Sequence, residues 1–174
     1  MEQRMTSEMR IALTGFMGVG KTSVSRHLAK ALGCRRLDLD DHIEKRTGRK
    51  IPDIIRQDGE PAYRLIETAA LEEVLAKPDV RILSLGGGVW TVETNRELIH
   101  SGGFTSVWLE STFEHCWQNI RKSRKERPLA NNRGEALRLF ESRQAVYCLA
   151  DWHFIVRPEL SSYEVAAQIA EEMF

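Results

Sequence analysis

The sequence predicts a single α/β domain, a mainly parallel sheet with helices on both faces. Three observations lead there. Short apolar runs alternate with helically spaced stretches along the whole chain, 174 residues suffice for one core and not two, and no repeat, low-complexity tract or linker interrupts the pattern. The apolar runs at 10–14, 36–39, 80–85, 105–109 and 153–156 read as buried strands. Helical spacing marks 22–32, 61–76, 94–100, 113–123 and 135–150. The last segment, 161–174, opens with Ser161-x-x-Glu164, a capping box, and sets Val165, Ile169 and Met173 along one face. Residues 1–9, with Glu2, Arg4 and Glu8, lack the apolar stretch of a secretory signal and read as a flexible terminus before a domain at 10–174.

Composition narrows the class. The apolar set makes up 42% and charged residues 29%, as in a soluble globular protein. Lys+Arg and Asp+Glu both count 25, and this balance argues against a surface built to grip nucleic acid or an anionic membrane. No run approaches the ~20 apolar residues of a membrane span. Cys34, Cys116 and Cys148 form no C-x-x-C pair, which fits a reducing compartment, so the expected location is the cytoplasm. Adjacent His115 and Cys116 point about 100° apart on a helix and read as two packing residues.

The first strand runs directly into Gly15-Phe16-Met17-Gly18-Val19-Gly20-Lys21-Thr22, which satisfies G-x-x-x-x-G-K-[ST] at every fixed position and is followed by Ser23. The glycines let successive N–H groups curl toward phosphate oxygens, Lys21 reaches the β- and γ-phosphates, and the Thr22 hydroxyl suits Mg²⁺. The next helix adds its positive end to the same anion. This is a nucleotide-binding P-loop. Motors and recombinases need more chain than 174 residues, and a GTPase would carry N-K-x-D, which is missing. Small kinases lead.

Ligands of such sheets collect at the carboxyl ends of the strands. At the second strand's end stand Asp38, Asp40 and Asp41. Alternation in an extended segment would send Asp38 and Asp40 to one side, to serve a metal and an attacking hydroxyl, with Asp41 left to cap a helix. After the third strand come Gly86, Gly87 and Gly88. Each glycine costs roughly 0.5–1 kcal/mol relative to alanine in regular structure, so three in a row imply a ligand against bare backbone. Arg64, after Gly59-Glu60-Pro61-Ala62-Tyr63, opens a helix with its guanidinium expected free for a carboxylate. Residues 121–127 carry five cations, Arg121, Lys122, Arg124, Lys125 and Arg127, against Glu126. Beside a P-loop this run reads as a lid that folds cations over a triphosphate. From spacing alone Arg143 is an unremarkable helix arginine.

This set resembles the shikimate kinases, a family of the nucleoside-monophosphate-kinase-like P-loop proteins. The resemblance runs from about residue 10 to the C-terminus and rests on the P-loop, Asp38-x-Asp40, Gly59-Glu60 with Tyr63-Arg64, Gly86–Gly87–Gly88, Arg127-Pro128-Leu129, and Arg143 with Tyr147. It implies a five-stranded sheet in order 2-3-1-4-5, a mobile lid at about 121–134 and a monomer. The implied reaction is transfer from ATP to the 3-hydroxyl of shikimate, with Mg²⁺, on the route to chorismate and the aromatic amino acids. Lys21, Asp40 and Arg127 would be catalytic, and Thr22 with Asp38 would hold Mg²⁺. Asp40, Arg64, Arg143 and Gly86–Gly88 would bind shikimate. ATP would lie on Gly15, Gly18, Val19, Gly20, Lys21, Thr22, Ser23 and Arg127, with Arg121 and Arg157 toward the adenine. Three residues depart from the family pattern, namely Trp90, Ile55 and Ala130. Competing readings are a kinase for a gluconate-like acid, a non-catalytic ATP-binding homologue, and a nucleic-acid binder using 121–127, which salt-sensitive binding would reveal.

Overall fold

The computed structural model describes residues 9–174, so residues 1–8 of the expected flexible terminus lie outside the described residues. Met9 packs partly buried against the core. Strands β1 (Arg10–Thr14), β2 (Arg35–Asp38), β3 (Val80–Ser84), β4 (Phe104–Glu110) and β5 (Trp152–Ile155) form one parallel sheet in the order β2-β3-β1-β4-β5. The central strands are covered on both faces, which is why they read as unbroken apolar runs. Ile11, Ala12, Leu13, Ile82, Leu83 and Val107 are fully buried.

Eight α-helices surround the described sheet. They are α1 (Lys21–Ala31), α2 (Leu39–Thr47), α3 (Ile51–Asp58), α4 (Glu60–Leu75), α5 (Glu93–Ser101), α6 (Phe113–Lys122), α7 (Arg133–Tyr147) and α8 (Ser162–Met173). Helix α1 packs on α8, while α2 and α3 pack on α4 beyond β2. The Ser161 capping box forms in both halves, side chain to Glu164 N–H and Glu164 back to the Ser161 backbone.

Two expectations change at 36–58. The strand ends at Asp38 rather than 39, because Asp38 is the N-cap of α2, its Oδ1 accepting from the N–H of Asp40 at 3.1 Å and of Asp41 at 3.4 Å. The capping role expected of Asp41 therefore belongs to Asp38. Helices α2 and α3 are additions to the elements read from sequence. Their charge density and Pro52 obscured them, although proline is well tolerated in a first helical turn, where Pro52 stands.

At the amino end of the sheet, Arg10 closes the base. Its guanidinium donates to the carbonyls of Val80, Gly102, Leu75 and Lys77 at 2.8–3.2 Å and lies 4.0 Å from the Phe104 ring centre. It thereby ties the end of α4 to the start of β3 and to the turn into β4.

Candidate active site

Two adjoining cavities open at the carboxyl end of the sheet. The larger, about 730 Å³, is lined by the P-loop from Met17 through Thr22 with Ser23, by Asp38 and Asp40, and by the turn after β5. The smaller, about 100 Å³, is lined by Ile51 and Ile55 of α3, Tyr63, Arg64 and Glu67 of α4, Gly86–Gly88, and Arg143. Met17, Asp40, Gly86, Gly87, Lys125 and Arg127 line both. A group passing from one cavity to the other crosses that shared wall.

The P-loop geometry follows from its glycines. Gly15 and Gly18 take φ of 139° and 82°, and a Cβ on Gly18 would lie 2.5 Å from the Cys116 carbonyl oxygen. Only glycine combines that conformation with so close an approach to α6. Lys21 is nine-tenths buried, donating to Gly15 O at 2.7 Å and Phe16 O at 3.0 Å. Burial pulls its ammonium down to about 8, partly opposed by Asp40. A cation held by carbonyls alone is poised for an anion.

Thr22 Oγ1 donates to Asp38 Oδ2 at 2.7 Å, while Asp38 Oδ1 keeps the cap of α2. The two aspartates come together by helix entry, Asp40 standing in the first turn of α2, and not by strand alternation. Among the described residues no three His, Cys, Asp or Glu converge as a full metal cage. One hydroxyl and one carboxylate fit Mg²⁺ nonetheless, since it keeps waters and takes much of its coordination from substrate phosphates.

The triple glycine makes room chiefly for the protein's own groups. A Cβ on Gly86 would lie 2.8 Å from Asp40 Oδ1, one on Gly87 3.4 Å from Arg143 Nη1, and one on Gly88 would collide with the Arg64 guanidinium. Arg64 is not free, as expected from sequence, but clamped to Glu67 at 2.8 Å and Glu60 at 2.9 Å. Glu67 is almost fully buried; burial raises its pKa despite Arg64, and Tyr63 donates to it at 3.1 Å. Arg143 is 7% exposed, beside Tyr147, whose hydroxyl donates to Gly87 O at 2.5 Å. Among the described residues no carboxylate pairs with Arg143, and Arg127 Nε is buried without a partner. Burial also lowers the Arg127 pKa. A buried Arg143 with no carboxylate partner and a bare, buried Nε on Arg127 both suit an anionic ligand.

Between α6 and α7, residues 123–132 form no regular element. Within the basic run, only Arg127 is half-buried; Lys125, though exposed, joins it in lining both cavities, while Arg121, Lys122 and Arg124 are exposed and line neither. Lys125 pairs with Asp40 at 2.8 Å and Glu126 with Arg56 of α3 at 2.7 Å. Burial alone would depress the Lys125 pKa, but Asp40 raises it. Sequence reasoning missed Lys125, Glu67 and Asn119, whose amide donates to Gly18 O at 2.8 Å. Only the spacing of Glu60, Arg64 and Glu67 on one helix signalled any of these contacts. Arg121 and Arg157 are exposed and line neither cavity, although Pro158 and Leu160 of the neighbouring turn line the larger one. Of the three departures, Ile55 lines the smaller cavity, Ala130 packs under the lid with Phe113 and Ala136, and Trp90 is buried in the core with its indole N–H on Val146 O.

A P-loop on a 2-3-1-4-5 sheet, joined through one wall to a small cavity lined by Arg64, Arg127 and Arg143, defines the class of small P-loop kinases. The shikimate kinase family model matches residues 17–174. Shikimate kinases of Persephonella marina and Thermus thermophilus are 38% and 39% identical over 91% and 94% of this chain, covering 95% and 89% of their own lengths. The shikimate kinase of Acinetobacter baumannii, solved in complex with shikimate, superposes with a TM-score of 0.86 at 30% identity, over 98% of this chain and 96% of that one. A gluconokinase from Sinorhizobium meliloti, at 20% identity and a TM-score of 0.59, shares the fold. The chain belongs to the shikimate kinase family, and it is an enzyme of the kinase class. No helix among the described residues is long and apolar enough to cross a membrane.

Proposed function

We propose that this protein transfers the γ-phosphoryl group of ATP to the 3-hydroxyl of shikimate, releasing ADP and shikimate 3-phosphate. One observation carries the reading furthest. Two arginines, one clamped and one buried without a counter-ion, face a small cavity that shares Asp40 and Arg127 with the nucleotide cavity. Guanidinium forks on either side of Gly86–Gly88 suit a planar carboxylate better than a neutral polyol.

The phosphates lie on the P-loop amides with Lys21 at the β- and γ-positions. Thr22 and Asp38 would hold Mg²⁺, which would supply charge neutralisation on the phosphate oxygens. Arg64 and Arg143 hold the carboxylate, so the ring's hydroxyls meet Asp40 at the shared wall. Asp40 orients the attacking hydroxyl and accepts its proton as the bond to phosphorus forms. Arg127 on the lid, 121–134, meets the charge spread over the transferring group and keeps water out. Every group named comes from one chain, so a monomer suffices.

Purified protein given ATP, Mg²⁺ and a panel of acids should form ADP with shikimate and not with gluconate. No ADP above the acceptor-free rate with shikimate, or a preference for gluconate, would overturn the reading.

A further inference from the structure

The larger cavity runs sideways from the P-loop, beside β1, to the turn after β5, two strands along the sheet. There its wall becomes apolar, with Val156, Pro158, Leu160 and Val165, a surface suited to a purine ring. His115 and Asn119, one turn apart on α6, line the same cavity. Asn119 is committed to the P-loop through Gly18. His115 is fixed from behind. Ser111 Oγ lies 2.7 Å from Val156 O and 2.8 Å from His115 Nδ1. A carbonyl oxygen only accepts, so the single hydroxyl hydrogen goes to Val156. The hydroxyl oxygen then accepts from Nδ1–H, which sets the neutral ring in one tautomer and leaves Nε2 a bare acceptor.

We propose that His115 Nε2 reads the nucleotide base, accepting a hydrogen bond from the 6-amino group of adenine. A 6-oxo purine would set its C6 oxygen against that lone pair, two acceptors facing each other, and be disfavoured. Ser111 is the positioning residue, holding the tautomer and tying the ring to the turn that forms the opposite wall. The proposal rests on the protein's use of ATP. It adds a group that selects the donor at a position read from sequence as packing, on the helix where Arg121, expected toward the adenine, lines neither cavity.

The test compares ATP with inosine triphosphate, which differs at C6, following shikimate 3-phosphate directly by mass spectrometry. ADP and inosine diphosphate binding are measured alongside by calorimetry without acceptor. The native protein should favour ATP in kcat/KM by about tenfold or more, the worth of one well-placed hydrogen bond. His115→Phe should bring the ratio within about twofold by raising the KM for ATP, and His115→Ala should do the same. Ser111→Ala, which frees the tautomer, should narrow it partway with kcat retained. Equal use of both nucleotides by the native protein, or a preference that survives both His115 variants, would overturn the inference. If neither nucleotide phosphorylates shikimate while ADP binding keeps its His115-dependent preference, the assigned reaction fails and the base reading stands.

Discussion

The two ends of the sheet treat half-buried arginine in opposite ways. At the amino end Arg10 donates to four carbonyls and stacks on Phe104, so its charge is absorbed by the fold. At the carboxyl end Arg127 keeps a buried Nε without a partner, and Lys21 sits on two carbonyls with its proton affinity depressed. One end uses cations to finish the structure. The other holds them unfinished, for a ligand to complete, and it gives up stability to do so.

That contrast breaks if function and stability respond alike at both ends. The largest effect expected is on turnover: Lys21→Met should lower kcat by about 10²–10³, measured with both substrates saturating. Arg10→Met should cost about 3 kcal/mol in urea unfolding, because four hydrogen bonds to carbonyls are lost at once, with kcat unchanged where the variant is folded. Arg64→Lys, keeping charge but losing the fork, should raise the acceptor KM about tenfold and leave the KM for ATP alone. A smaller effect is the reverse side of the first variant. Lys21→Met should be more stable than the native protein at pH 7 by about 1 kcal/mol, since a buried charge is removed. The unfolded chain holds the Lys21 proton to its usual 10.5 and the native state only to about 8, so native stability rises relative to the variant between those values. The advantage should therefore shrink by pH 10 in paired melts. Least of all, Arg35→Ala, which breaks an exposed pair with Asp79, should leave the melting midpoint unchanged.

What could be read in advance divides along the same lines as locality. The P-loop is contiguous, so its place between β1 and α1 was legible without a fold, and the five apolar runs marked the strands to within a residue or two. Arg143 was invisible to spacing because α7 carries charge all round, and only packing against Gly87 decides which arginine turns inward. Lys125 gave no signal in a run of five cations, since its meeting with Asp40 depends on the path of an irregular loop. Asp38 misled in a different way. Its side chain serves both a helix cap and Thr22, and the sequence offers no means to see one residue in two roles.

Gly88 and Arg64 hold a consequence for how this chain can change over time. The space a side chain at 88 would need is filled by the Arg64 guanidinium, which the buried Glu67 keeps from swinging away. A mutation at 88 therefore strikes acceptor binding as though it had struck 64, and Gly88→Ala should reproduce the raised acceptor KM of an altered Arg64. The three positions are coupled through packing, so a side chain gained at 88 calls for a compensating change at 64 or 67 before the acceptor site can be reshaped.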